Sequence, residues 1–219
     1  SMKENFLIST GGSGGHVIPA LILHEHLSKK ANIIFSMDKR GLKYLDKDLY
    51  LIEIIDTPKL NNIFFFIINF FQLFYLTFKS LLILKKKNID KIFSTGGYMS
   101  LPLVLAGKIL RLDLYLLEPN HVLGRANRFF LRSCKKIFCY SEKIKNFPKN
   151  LEYKMTIINP LVREKIYKMD LVSKKNKKFN ILIVGGSQGA SIFNNNLKEL
   201  IVKFSQNNLI RIFRQTNEK

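Results

Sequence analysis

Apolar and polar positions along the chain follow two alternating patterns. Short apolar runs bounded by glycine, asparagine or charged residues are typical of buried strands, and the first occupies residues 6–9. Between several such runs apolar residues recur at helical spacing, as they do at residues 20–27. We predict seven strands, at residues 6–9, 33–36, 91–94, 114–117, 136–140, 156–158 and 180–184. Because strands and helices alternate, the chain is predicted to be an α/β protein with mainly parallel sheets.

A lysine-rich segment at residues 163–178 separates two parts of the chain. Polar, charged composition of this kind is typical of a linker between domains. Six of the predicted strands precede it, and one strand with a glycine turn and a helix follows it. We therefore predict a Rossmann-like domain at residues 1–162, a linker at 163–178 and the beginning of a second Rossmann-like domain at 179–219.

Three glycine-rich turns, at residues 11–16, 96–98 and 185–189, each follow a predicted strand and precede a helix. Backbone N–H groups and the helix dipole at such turns bind anions, and glycine lets the backbone approach a ligand closely. Because parallel sheets bind ligands at the carboxyl ends of their strands, the three turns indicate an anionic ligand. The first turn fits neither the dinucleotide nor the P-loop pattern, and it ends in the titratable side chain of His16.

A carboxylate and an amide, Glu118 and Asn120, follow the strand predicted at 114–117. Such a pair at a ligand-binding edge can orient a sugar hydroxyl or act as a base. The same residues also form Asx-type turns and helix caps, and both interpretations stay open.

The most apolar segment, residues 63–84, extends from Ile63 to Leu84 and approaches the length of a membrane span, about 20 residues. Its polar residues gather on one side of a helix and leave a broad apolar face. They are Asn69, Gln72, Thr77, Lys79 and Ser80. Three lysines follow at its end, Lys85, Lys86 and Lys87. A helix that packs inward on one side and meets a bilayer surface on the other explains this pattern best; a core helix and a membrane span stay open.

The formal net charge of +20 indicates an anionic partner: a membrane surface, a phosphorylated substrate or nucleic acid. Enrichment in lysine, asparagine, isoleucine and phenylalanine through biased composition explains the charge equally well. Nucleic acid is not predicted, because no binding signature with interleaved aromatic residues is present. The spacing of Cys134 and Cys139 suits neither a zinc site nor a redox pair, and we predict reduced cytosolic thiols and no secretory signal.

The glycine turns, the Glu118-Pro119-Asn120 strand end and Asn127 resemble the MurG family, as does the run from Gly185 to Ala190. The motifs keep the family's order and rough spacing from the first strand to the last residue. Members of this family transfer N-acetylglucosamine from UDP-N-acetylglucosamine to lipid I, which is undecaprenyl-pyrophosphoryl-MurNAc-pentapeptide. The resemblance implies a glycosyltransferase B arrangement of two Rossmann-like domains with parallel sheets, the second only partly present.

Residue roles follow from the resemblance alone. The acceptor's pyrophosphate is expected at Ser13, Gly14, Gly15, Gly96, Gly97 and Tyr98, and the acceptor sugar at Asn120 and Asn127. The donor UDP-N-acetylglucosamine is expected at Arg163, Ser187, Gln188, Gly189 and Asn194. His16 is the family's candidate for the base that deprotonates the acceptor hydroxyl, since imidazole titrates near neutral pH, and Glu118 stays a rival.

The resemblance implies an inverting transfer to the 4-hydroxyl of lipid I in peptidoglycan synthesis, without a metal or cofactor. It places the protein peripherally on the cytoplasmic face of the bacterial cell membrane, with the apolar helix and its lysines as the docking patch. The chain departs from the family where Leu117 and Pro119 replace a histidine and a glutamine. Residues that bind uracil and ribose in the family have no counterpart here, so we expect no turnover unless another chain supplies them. A non-catalytic lipid-pyrophosphate-binding remnant and a glycolipid synthase with another acceptor stay open.

Overall fold

The computed structural model describes residues 3–58, 66–169, 178–185 and 197–214. The chain divides into two compact units, Ser1–Lys168 and Met169–Lys219. The division falls inside the segment predicted as a linker, and part of that segment is helical. Its helix, Glu164–Tyr167, belongs to the first unit, where Lys29 Nζ lies 2.7 Å from a carboxylate oxygen of Glu164.

The first unit is built on a parallel sheet of seven strands. In chain order they are β1 Asn5–Ser9, β2 Asn32–Met37, β3 Ile52–Ile54, β4 Lys91–Ser94, β5 Asp113–Glu118, β6 Lys136–Cys139 and β7 Met155–Ile157. Their spatial order is β3-β2-β1-β4-β5-β6-β7, and every pair is parallel. The predicted α/β class and parallel sheet are confirmed. The strand β3 was not predicted, because its three residues are too short to show a pattern.

Helices connect the strands of the first unit. They are α1 Gly14–Leu27, α2 Phe66–Lys86, α3 Leu101–Ile109, α4 Arg125–Phe130 and α5 Glu164–Tyr167. Neighbouring residues of a strand point to opposite sides of the sheet, and helices cover both sides. Leu7 belongs to the core cluster beneath α2 and α3, and the next residue, Ile8, belongs to the cluster beneath α1.

Helix α2 has an unusual distribution of polar and apolar side chains. Asn69 and Ser80 are buried, and Ser80 Oγ donates a hydrogen bond to the Leu76 carbonyl at 2.7 Å. The outer face is aromatic and aliphatic, with seven side chains that are 55–70% exposed: Ile68, Phe70, Phe71, Phe74, Tyr75, Phe78 and Leu82. Two of the predicted polar residues, Asn69 and Ser80, therefore face the protein together with Leu76 and Leu84, whereas Gln72 and Lys79 are exposed beside the apolar outer face.

By length and composition the segment Ile68–Lys86 could cross a membrane, and 22% of its apolar window is buried within the protein. Core helices of soluble proteins pass the same length and composition test but are mostly buried. The large exposed share therefore distinguishes α2 from an ordinary core helix.

The second unit contains a parallel pair of strands, β8 Phe179–Ile183 and β9 Ile210–Arg214, with Ile181 opposite Ile212. Between them in sequence lies α6, Lys198–Ser205. The strand predicted at 180–184 corresponds to β8. Strand, helix and parallel strand in this order form one βαβ crossover.

The orientation of α2 can be tested by substituting two of its leucines. Leu84 is 1% exposed and Leu82 is 55% exposed, although only one residue separates them. We expect Leu84→Ala to lower the free energy of unfolding by about 2–5 kcal/mol, because it leaves a cavity in the core. The matched change Leu82→Ala should stay within about 0.5 kcal/mol. Denaturant unfolding measures both, and equal losses would show that the helix packs with a different face.

Candidate active site

Two glycine turns lie side by side at the carboxyl end of the sheet. They follow β1 and β4, which pair directly, with Ser9 opposite Ser94. The next residues, Thr10 and Thr95, are buried, and the Thr95 hydroxyl donates to the Thr10 hydroxyl at 2.7 Å. The pairing and this hydrogen bond fix the distance between the turns at residues 11–15 and 96–98.

Met99 packs against both turns and explains two of their glycines. At Gly12, with a φ of 75°, an added Cβ would lie 2.5 Å from the Met99 methyl carbon. At Gly97, with a φ of 84°, it would overlap the Met99 sulfur. The positive φ values alone disfavour any other residue. The glycines are therefore required both by backbone conformation and by close approach of the two turns through Met99.

His16 stands in the first turn of α1 and is hydrogen-bonded to the second glycine turn. Its Nδ1 lies 2.8 Å from the Thr95 carbonyl oxygen. Because a carbonyl only accepts, Nδ1 carries the hydrogen, and in the neutral ring Nε2 is left as the acceptor. The ring edge at Cδ2, beside Nε2, lies against Gly97. The imidazole is therefore held in one tautomer between the two turns.

Glu118 is the centre of a second group at the end of β5. It is 2% exposed, and its carboxylate accepts four hydrogen bonds. Asn120 donates to Oε1 from its backbone and side-chain nitrogens at 3.2 and 3.0 Å. The Gly124 backbone and the Asn127 side chain donate to Oε2 at 2.8 and 3.0 Å. The carboxylate thus holds the loop from β5 to α4 and orients both asparagines.

Asn127 connects this group to the glycine turn at residues 96–98. Its side-chain nitrogen donates to the Leu117 carbonyl and to Glu118, both at 3.0 Å. Its Oδ1 is buried without a hydrogen-bond partner, and a Cβ added to Gly96 would lie 3.4 Å from that oxygen. An unpaired buried acceptor costs about 1–3 kcal/mol, so Oδ1 is a ready acceptor for a hydroxyl or amide of a ligand.

The two cysteines are free and buried, in agreement with the prediction that they form no disulfide. Burial and, to a smaller extent, the charge of Glu118, its neighbour in the sheet, raise the pKa of the Cys139 thiol to about 12. Burial also raises the pKa of Cys134. Both thiols are therefore protonated at neutral pH and unreactive as nucleophiles.

Other residues predicted from the sequence occupy different places. Ser13 is the N-cap residue of α1, and Gly14 and Gly15 form the helix's first turn, where backbone N–H groups lack intrahelical partners. Arg163 lines a cavity of about 420 Å³ beside His24 in the C-terminal half of α1, away from the glycine turn at the start of that helix. Four predicted donor-binding residues lie outside the described residues: Ser187, Gln188, Gly189 and Asn194.

Sequence reasoning missed two charged residues beside the first turn, Asp38 and Arg40. Asp38 is 4% exposed and accepts a hydrogen bond from the Gly12 backbone at 2.8 Å. The Arg40 guanidinium carbon lies 5.2 Å from the Tyr98 ring centroid. The available signal was the position of Asp38 two residues after the strand predicted at 33–36, since that strand end shares the edge with the glycine turns.

The site combines anion-binding turns, a histidine of fixed tautomer and amides that can bind hydroxyl groups. Within the ranges that the structure describes, no group of three or more His, Cys, Asp or Glu side chains could hold a metal ion. Such an arrangement can bind a phosphorylated ligand and accept a proton from a hydroxyl group.

The chain belongs to glycosyltransferase family 28: the model of that family's N-terminal domain matches residues 6–139. A relative from Pelagibacter ubique is 45% identical over 217 residues, and one from Rickettsia felis is 34% identical over 202. Both are named UDP-N-acetylglucosamine–N-acetylmuramyl-(pentapeptide) pyrophosphoryl-undecaprenol N-acetylglucosamine transferase. The alignments cover 99% and 88% of this chain but 61% and 55% of the relatives, so the chain spans about three fifths of their length.

The crystal structure of Acinetobacter baumannii MurG is similar to this chain in fold, with a TM-score of 0.74 and 24% sequence identity. The match covers 99% of this chain and 62% of that structure. The resemblance to the MurG family that the sequence motifs indicated is confirmed.

Two glycines test the geometry of the turns. Gly97→Ala should lower the free energy of unfolding by at least about 1–2 kcal/mol, because alanine resists the left-handed conformation and its methyl group would overlap Met99. In the control Gly15→Ala the new methyl group would lie 3.6 Å from Ser13 Oγ, an ordinary contact within a helix. That change should be neutral or stabilising by up to about 1 kcal/mol. Unfolding curves that show no loss for Gly97→Ala would mean that Met99 does not pack between the turns.

Proposed function

We propose that this chain supplies the acceptor-binding half of an inverting transferase that moves N-acetylglucosamine from UDP-N-acetylglucosamine to the 4-hydroxyl of lipid I. The product is lipid II, and the pathway is peptidoglycan synthesis. The hydrogen bond from His16 Nδ1 to the Thr95 carbonyl carries the proposal, because it leaves Nε2 as a proton acceptor beside two anion-binding turns. The two substrates are those in the names of the relatives from Pelagibacter ubique and Rickettsia felis.

In the proposed reaction His16 accepts the proton of the attacking hydroxyl group. A positioned base of this kind contributes about 10²–10⁴-fold to a rate. The turns at residues 11–15 and 96–98 hold the acceptor's pyrophosphate through backbone N–H groups and the positive end of α1. A pyrophosphate at this place brings the sugar attached to it next to the imidazole.

Glu118 is assigned a positioning role rather than that of the base. Its four hydrogen bonds occupy the carboxylate, and its exposure of 2% leaves little access for a substrate. Asn120 and Asn127, which it holds, bind the acceptor sugar, and the unpaired Oδ1 of Asn127 accepts a hydroxyl or amide hydrogen. A carboxylate that fixes two amides in this way sets the orientation of the sugar.

The donor is assigned to the second unit, through Ser187, Gln188, Gly189 and Asn194, together with Arg163. Departure of UDP is helped by backbone N–H groups and helix termini, which stabilise the developing charge without a metal ion or cofactor. The proposed roles of these five residues rest on the family resemblance.

We further propose that the outer face of α2 docks on the cytoplasmic surface of the cell membrane. Phe74 and Phe78 of that face also border an apolar cavity of about 260 Å³ between α2 and α3. Lys85 and Lys86 follow on the same helix and are attracted to anionic lipid head groups. The burial of Leu76, Ser80 and Leu84 supports docking over insertion, because these side chains hold the inner side of α2 against the core of the first unit.

Exposed aromatic residues on α2 should determine membrane binding. We expect Phe74→Ser to weaken binding to vesicles of equimolar phosphatidylglycerol and phosphatidylethanolamine by about tenfold, since burying a phenylalanine side chain is worth about 1.5–3 kcal/mol. The control Tyr153→Ser changes an aromatic residue of matched exposure, 73% against 70%, in the connection before β7. It should bind as the unchanged chain does. Equal losses in a sedimentation assay would contradict docking through α2.

Acceptor binding and His16 test the proposed reaction. The chain should bind a water-soluble short-chain lipid I analogue. It should not bind the same MurNAc-pentapeptide without its pyrophosphate. When the remaining part of the Pelagibacter relative is joined after Lys219, His16→Gln should lower kcat by about 10²–10⁴-fold. KM for the acceptor should change little.

Two results would contradict these assignments. Unchanged kcat in the His16 variant would remove the histidine from catalysis and leave it a structural role. Acceptor binding without any transfer by the completed enzyme would favour a non-catalytic lipid-pyrophosphate-binding protein.

A further inference from the structure

A buried aspartate stands where dinucleotide-binding domains place the acidic residue that binds ribose, at the carboxyl end of the second strand. Here Asp38 follows β2 directly, but its carboxylate is turned into the first glycine turn. Its Oδ1 accepts from the backbone nitrogens of Gly12 at 2.8 Å and Gly41 at 3.2 Å. Its Oδ2 accepts from Arg40 Nε at 2.7 Å. Three donors occupy the carboxylate, so it is not available for a ribose.

Asp38 holds the guanidinium group of Arg40 beside the glycine turns. The Asp38 side chain is 5% exposed, whereas the Arg40 side chain is 45% exposed. The guanidinium carbon lies 5.2 Å from the centroid of the Tyr98 ring. Its Nη2 lies 3.5 Å from the position that a Cβ would take on Gly12. The group therefore touches both glycine turns at once, with Nε anchored and its outer edge at the surface.

The chemistry of this position suits a phosphate group. A guanidinium is a planar fork that binds phosphate oxygens through two parallel hydrogen bonds. The glycine turns offer only backbone N–H groups and about half a unit charge at the end of α1. Arg40 adds a full, permanent charge at the point where the two turns meet. Because Nε is fixed by Asp38, the remaining donors are oriented before a ligand arrives.

We propose that Arg40 binds a phosphate oxygen of the pyrophosphate held between the turns at residues 11–15 and 96–98, and that Asp38 positions it. The identification of that pyrophosphate as part of a lipid-linked acceptor rests on the proposed function. The contact of Arg40 with the anion rests on the geometry of Asp38, Gly12 and Tyr98.

The test compares Arg40→Gln with Lys39→Gln, which removes the same charge one residue earlier. The Lys39 side chain is 77% exposed and pairs with Asp56 at 3.4 Å, outside the turns. Calorimetric titration uses two probes, inorganic pyrophosphate and the short-chain lipid I analogue. Arg40→Gln should weaken both by about tenfold to a hundredfold, the range of a charge-assisted hydrogen bond. Lys39→Gln should stay within about twofold.

A second variant keeps the inference testable if Arg40→Gln does not fold. Arg40→Lys keeps a charge that can pair with Asp38 but loses the planar fork. It should melt near the temperature of the unchanged chain and still bind both probes several-fold more weakly. If both variants bind the probes as tightly as the unchanged chain does, Arg40 only stabilises the turn. That result would overturn the inference.

The two probes separate this inference from the proposed function. Tight binding of the lipid I analogue that does not depend on Arg40 would overturn the inference and leave the acceptor assignment standing. Arg40-dependent binding of inorganic pyrophosphate alone would support the inference and contradict the acceptor assignment. Binding of neither probe by the unchanged chain would overturn both.

Discussion

Direct pairing of β1 with β4 is the constraint on which the site depends. These strands are far apart in sequence, but their register sets Ser9 opposite Ser94 and makes the two glycine turns neighbours. The hydroxyl hydrogen bond between Thr10 and Thr95 then ties the turns together in a buried position. His16 reaches the Thr95 carbonyl only because of this arrangement. A shift of one residue would separate the histidine from its partner and the turns from each other.

Two buried carboxylates share one function at this edge of the sheet. Asp38 and Glu118 stand at the ends of β2 and β5, and each accepts hydrogen bonds from backbone and side-chain donors of a neighbouring loop. Carboxylates that are satisfied in this way stabilise loops which have few apolar contacts of their own. Asp38 pairs with Arg40, whose outer donors stay exposed, and Glu118 is held by neutral backbone and amide donors. The proposed proton transfer is therefore assigned to the imidazole of His16 and not to either carboxylate.

The sequence predicted those parts of the molecule that depend on local pattern. Six strands of the main sheet, the glycine turns and His16 follow from apolar runs, glycine spacing and one titratable residue. Three contacts could not be predicted, because each joins residues that are distant in sequence. They are the hydrogen bond of His16 to Thr95, the packing of Met99 against Gly12 and the hydrogen bond of Asp38 to Gly12. The strand Ile52–Ile54 escaped prediction since three residues show no period. The outward orientation of the apolar outer face of α2 could not be predicted without knowing how α2 packs on α3.

Helix α3 relates the anion-binding turn to the apolar face. The turn at residues 96–98 leads into α3, Leu101–Ile109, and Leu105 and Ile109 of that helix line the apolar cavity beside α2. Nine helical residues at about 1.5 Å each place the far end of α3 roughly 14 Å from its start. Helix α3 therefore sets the distance between the glycine turn and the apolar cavity.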